Sequence, residues 1–218
     1  MDEQQIKQKL DSMKKTRKTL GTVTLIVSLL AIALLIVYNF MGVTFLQVKP
    51  SADSLSSDHL IKSMADFTEG FTFPGWQMVF WGMGAQFIMQ DHLFDPNPIA
   101  IAAMVGTILA LIICTATYKS GKNKAKAIKE FISGGFLVFA ALVLGFFIVP
   151  VARMAATDGS VYHFKTEVIL AEGASFTPTV FAIVAGVILL IFAAVKIYNG
   201  CFLLQQRAFA QKYAPKKA

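Results

Sequence analysis

Apolar residues along this chain come in four long uninterrupted runs separated by polar or mixed segments. The runs are 20–41, 97–117, 130–150 and 177–195. A helix rises about 1.5 Å per residue and a bilayer's hydrocarbon core is about 30 Å thick, so about 20 apolar residues reach across. Within lipid only a helix satisfies its own backbone hydrogen bonds, so each run predicts a transmembrane helix. Glu130, at one end of the third run, is the one Asp, Glu, Lys, Arg or His within them. The expectation is therefore an interior without charge at mid-depth.

Between the runs the pattern changes period. GVTFLQV (42–48) is rich in β-branched and aromatic residues, and FTFPGWQMVFWG (71–82) reads as a strand or hairpin. In SVYHFKTEVIL (160–170) residues alternate again, with Val161, His163, Lys165 and Glu167 on one side. Residues 58–66 suit a short helix. Stretch 71–89 is long and apolar, but Pro74, Gly75, Gly82 and Gly84 argue for extended or interfacial chain. The fold class predicted is an all-α transmembrane four-helix bundle with a small exoplasmic antiparallel β-cap built from 42–96 and 151–176.

Charge orients these elements. The segments 1–19, 118–129 and 196–218 carry sixteen of the twenty Lys and Arg, and nine of the thirteen acids fall in 42–96 and 151–176. Basic loops stay in the cytoplasm, so both termini are expected there, with the chain a multi-pass protein of the plasma membrane. A fifth span at 71–89 would move the loop 118–129 to the outside. The net charge of +7 then reflects contact with anionic headgroups through Lys14, Lys15, Arg17, Lys18, Lys122, Lys124 and Lys126. It does not suggest nucleic acid, because the cations are scattered over juxtamembrane segments. Ile6, Leu10 and Met13 share a helical face, which predicts a short helix lying on the inner leaflet before an uncleaved first span.

Candidate chemistry is sparse. With 56% hydrophobic and 15% charged residues, the composition departs from that of a soluble domain. No phosphate loop, nucleophile elbow or zinc-protease motif occurs, so no cofactor and no catalytic residue is predicted. The two cysteines, Cys114 and Cys201, read as small buried apolar groups. Three histidines, His59, His92 and His163, all fall in the outer loops, where they could hold zinc with an open position, although their spacing matches no metal motif. Trp76, Gln77, Phe80 and Trp81 lie in the densest aromatic stretch and are candidates for an interface. Small residues recur at spacing four: Ala102, Gly106 and Ala110 on the second run, Ala141 and Gly145 on the third, Ala182 and Gly186 on the fourth. Such faces let helices approach closely, within one bundle or between chains.

The order of parts resembles the claudin-like tetraspans, with a long first loop, a short basic inner loop, a shorter second loop and a basic tail. The two loop cysteines of the claudin signature are missing here. The texture also resembles small four-span proteins of low-GC Gram-positive bacteria. Gly75-Trp76-Gln77-Met78-Val79-Phe80-Trp81-Gly82 matches their Gly-aromatic-Gln element before the second span. Ala171-Glu172-Gly173-Ala174 matches their Gly-rich entry to the fourth. The resemblance implies a bacterial four-span fold and supplies no activity. The expectation is a structural or accessory membrane subunit that associates with itself or another membrane protein. An oligomeric pore or transport accessory is the alternative. A surface enzyme would need Asp91, Asp95 and Glu167 to converge.

Overall fold

In a computed structural model of the chain, residues 3–48, 70–81, 97–118, 123–151 and 174–213 are described. Among them are four helices long and apolar enough to cross a membrane and one three-stranded antiparallel sheet. Helix α1 runs Glu3–Tyr38. Strands β1 (Gly42–Val48) and β2 (Phe71–Pro74) follow. Helix α2 covers Pro98–Ala116 and α3 covers Asn123–Phe146. Strand β3 (Ala174–Pro178) leads into helix α4, Val180–Tyr213.

Each helix has a narrow buried seam and a broad apolar outer face. On α1 the buried positions are Thr24, Val27, Ser28, Ala31, Leu35 and Tyr38, spaced three and four apart. Outside that seam Leu25, Ile26, Leu29 and Leu30 are about half exposed, Leu29 to 58%. Ile113 on α2 and Ile191 on α4 are exposed to 59% and 57%. A water-soluble monomer does not carry apolar surface on this scale. Lipid-facing helices do, because the tails are as apolar as Leu.

Several boundaries differ from those predicted. Helix α1 has no break between the amphipathic N-terminal residues and the apolar run, 36 residues in all. Helix α4 does not end at 195 but continues to Tyr213. Residues 201–213 are mostly strong helix formers, and no proline interrupts them. Asn97 caps α2: its side chain accepts a hydrogen bond from the Ala100 amide at 3.1 Å, and Pro98 takes the first helical position. Two stretches widen to π-helix, Ala102–Gly106 in α2 and Ala141–Phe146 in α3.

Contacts divide the chain into two compact units. One contains Met1–Ala33, Thr107–Val138 and Leu189–Ala218; the other contains Leu34–Gly106 and Phe139–Ile188. The sheet belongs to the second. Its order is β2-β1-β3, with Leu46 of β1 opposite Phe71 on one side and Phe176 on the other. Leu46, Phe73 and Phe176 are buried, and Pro74 and Pro178 sit on the edge strands, where no ladder donor is required of them. The predicted strand at 42–48 is present. In 71–82 only the first four residues are strand; Gln77–Trp81 forms a π-helical turn. The second-loop strand is at 174–178, partly inside the run assigned to the fourth span. The candidate strand 160–170 and helix 58–66 lie outside the described residues.

That turn explains the Gly-Trp-Gln element. The Gly75 amide donates to the Met41 carbonyl at 3.1 Å and the Trp76 amide to the Asn39 carbonyl at 3.0 Å. The chain is thereby held on the end of α1. A Cβ on Gly75 would collide with the Tyr38 carbonyl oxygen, so only glycine allows the approach. The Asn97 amide then donates to the Val79 carbonyl at 3.3 Å, joining the turn to the start of α2.

Candidate functional site

The first unit contains charge where an apolar interior was expected. Glu130 of α3 and Lys196 of α4 are 1% and 4% exposed. The Lys196 ammonium is 3.3 Å from Oε2 of Glu130. Glu130 lies one helical turn further into α3 than Lys126, and Lys196 falls near the middle of α4. Glu130 alone, at the end of one apolar run, and Lys196, just past the end of another, each read as boundary residues. Pairing them is what makes their burial tolerable. An isolated Lys or Asp at the centre of a membrane helix costs about 2.5–3.5 kcal/mol on insertion scales.

A polar hub completes the pair. The Asn199 amide nitrogen donates to Oε1 of Glu130 at 3.0 Å and also lies within reach of the Tyr118 hydroxyl (3.3 Å) and of Thr24 Oγ1 (3.4 Å). Spacing on α4 produces this: Lys196, Asn199, Leu203 and Gln206 recur at three and four on its buried seam. Gln206 in turn accepts from Asn123 at 3.3 Å, and Asn123 accepts from Arg17 at 3.1 Å. Thr24 and Ser28 bond back to carbonyls of their own helix, at 3.2 Å to Gly21 and 2.8 Å to Thr24, which satisfies hydroxyls facing the interior. Burial pushes the Tyr118 phenol above its ordinary pKa, and the Glu130 carboxylate adds to the rise. The Asn199 hydrogen bond and the Arg17 charge oppose it.

Beside this network is a cavity of about 500 Å³. Lys14, Arg17 and Lys18 reach it from α1, Lys126 and Glu130 from α3, and Lys196 from α4; Tyr118, Thr24 and Thr115 also line it. Lys126 packs its ammonium over the Tyr118 ring, 5.3 Å from the centroid. Oγ1 of Thr115 is buried with no hydrogen-bond partner among the described residues. Of the cations named for headgroups, Lys14, Arg17, Lys18 and Lys126 thus converge here. Lys14, Arg17 and Lys18 are exposed, as are Lys15 and Lys124, which do not line the cavity; Lys122 lies outside the described residues.

The second unit holds the small-residue contacts. A Cβ on Gly145 would come within 2.5 Å of the Gly186 Cα, and one on Gly186 within 2.9 Å of the Gly145 Cα and 3.2 Å of the Ala141 carbonyl. Ala141 and Ala182 are fully buried with them. The third small face behaves differently. Ala102 is exposed and Gly106 and Ala110 are half-buried, while Ala103, Met104, Thr107 and Leu111 form the buried side of α2. Also in this unit, the buried Tyr38 hydroxyl donates to the Leu144 carbonyl at 2.7 Å, within the π-helical stretch of α3.

The aromatic interface candidates divide. Gln77 is buried, and Trp76 and Phe80 are half-buried; the Trp81 side chain lies outside what is described. Gln77 is therefore not available at a surface. His59, His92 and His163 lie outside the described residues, as do Asp91, Asp95 and Glu167. No metal-ligating cluster occurs among the described residues. Cys114 is buried as expected of a small apolar group, whereas Cys201 is exposed.

Comparison with family models, with characterised proteins and with solved structures found no match. The class of the protein therefore rests on its own helices, four of which have the length and apolarity of membrane spans.

Proposed function

We propose that this protein is a non-enzymatic, multi-pass protein of the plasma membrane, with both termini cytoplasmic. It acts as a structural or accessory subunit, associating with a second copy of itself or with another membrane protein. The observation that carries the reading is the contrast among the small-residue faces. Those of α3 and α4 are used up against each other at Gly145 and Gly186, while on α2 Ala102 is exposed and Gly106 and Ala110 are only half-buried. Small residues on an outward face let a second helix approach closely in a bilayer. Orientation follows the Lys/Arg distribution, and the apolar outer faces of α1, α2 and α4 support a lipid environment.

The test is the mass of the protein extracted gently from its native membrane. A homo-oligomer or a stoichiometric second chain is expected, and Ala102→Leu with Ala110→Leu should release it. A monodisperse monomer without partners would end this reading.

Transport assistance within an oligomer is the second reading, favoured by the buried Glu130–Lys196 pair, since intramembrane ionisable residues commonly mark transport paths. Ion flux through reconstituted liposomes, abolished by Glu130→Gln, would support it. Its absence at any protein density would remove it.

A further inference from the structure

We propose that the cavity lined by Lys14, Arg17, Lys18, Lys126 and Lys196 binds the phosphate group of an organic phosphate monoester. Five cations from three helices converge on a space that holds one carboxylate, Glu130. Lys196 is matched by that carboxylate, and Lys14 has an exposed partner in Asp11 at 3.0 Å. Arg17, Lys18 and Lys126 face the cavity with no carboxylate paired to them among the described residues.

A single carboxylate ligand would leave most of this charge uncompensated. A phosphate monoester carries about −1.5 to −2 at neutral pH and offers three strong acceptor oxygens. Arg17 supplies the planar fork that grips two phosphate oxygens at once, and the lysines act as point charges around it. Tyr118 and the unpartnered Thr115 hydroxyl add neutral donors at the wall. The volume identifies an ester. About 500 Å³ is within the range of small-molecule sites, and a bare phosphate fills a fraction of it. Leu25 provides an apolar wall for the organic part.

The same headgroup chemistry occurs on an acidic lipid and on a soluble metabolite, and the experiment separates them. Full-length protein is placed in phosphatidylcholine nanodiscs. In one arm phosphatidic acid is added to the nanodisc lipid and retained lipid is read by native mass spectrometry. In the other arm glycerol 3-phosphate is titrated by calorimetry. One saturable site per chain is expected in at least one arm, and the arm that binds names the source. Arg17→Gln with Lys126→Gln should weaken it about tenfold or more, while Lys124→Gln, off the cavity, should leave it unchanged. Lys196 is left intact so that the buried ion pair survives, and circular dichroism verifies the fold. Absence of saturable binding in both arms, or equal weakening by Lys124→Gln, overturns the proposal. Neither result bears on the association reading, which is decided by oligomer mass.

Discussion

The Lys196 ammonium and the Glu130 carboxylate meet at 3.3 Å inside the packed helices of the first unit, both almost fully buried. Removing one member of such a pair strands a charge, whereas replacing both with neutral groups of similar size need not destabilise. Lys196→Met alone should therefore cost about 3–5 kcal/mol of stability. The double variant Glu130→Gln, Lys196→Met retains an acceptor for Asn199 and should recover most of that loss. Chemical denaturation in detergent measures both. Equal losses in the single and double variants would show that the pair is not electrostatically coupled.

Gly145 and Gly186 make a backbone-to-backbone contact with no room for a side chain. Gly145→Ala should force the segments apart at a cost of about 1–3 kcal/mol. Gly135, in the same helix α3, has open space where a Cβ would stand, with nothing within 4 Å. Gly135→Ala should be neutral or stabilising by up to about 1 kcal/mol, because it only improves helix propensity. Thermal unfolding of the two variants side by side makes the comparison.

Gly75→Ala should unseat the turn that follows β2, because its Cβ meets the Tyr38 carbonyl. The hydrogen bonds from Gly75 and Trp76 to Met41 and Asn39 would then lengthen or break. A shift in tryptophan fluorescence is expected with little change in far-ultraviolet circular dichroism. An unchanged emission spectrum would contradict the seating described above.

Tyr118 provides a pH readout. Burial holds its phenol above the ordinary value near 10, with the Asn199 hydrogen bond acting the other way. A raised folded pKa means that the neutral phenol is favoured in the folded protein. Its contribution to stability is fully present below the unfolded pKa and is lost as pH climbs through the folded one. This contribution should therefore decline only on the alkaline side of about 10. Tyrosinate absorbance of Tyr118, isolated as the difference from Tyr118→Phe, should appear later than that of an exposed tyrosine. Asn199→Ala should delay it further; an earlier onset would reverse the assigned sign.

The four long apolar helices were legible because each apolar run has the length and composition that a bilayer would demand of a span. Strand β1 was legible for a similar local reason, since GVTFLQV combines β-branched and aromatic residues between turn-forming neighbours. Strand β3 was not. ASFTP is short, and it abuts an apolar run, so its membership in a sheet depends on Phe176 finding Leu46 across the ladder. Likewise the small-residue spacing marked three faces without saying which would meet. The π-helical stretch at Ala102–Gly106 changes the rotation per residue, and the buried side of α2 falls on Ala103, Met104 and Thr107.

The candidate site shows the same division most clearly. Residue order alone determined that Lys and Arg gather on three segments that the positive-inside rule assigns to one side of the membrane, and that apolar residues fill the rest of the spans. These are properties of single segments against a solvent, water or lipid, and they need no partner. Only the tertiary structure decided that Glu130 and Asn199, 69 residues apart, share a hydrogen bond, and that Lys196 is buried rather than the first residue of a tail. Whether a charge is a boundary marker or an interior group depends on what lies opposite it. That is settled when helices distant in sequence pack, because a counter-ion and a hydrogen-bonding amide offset the cost of leaving water.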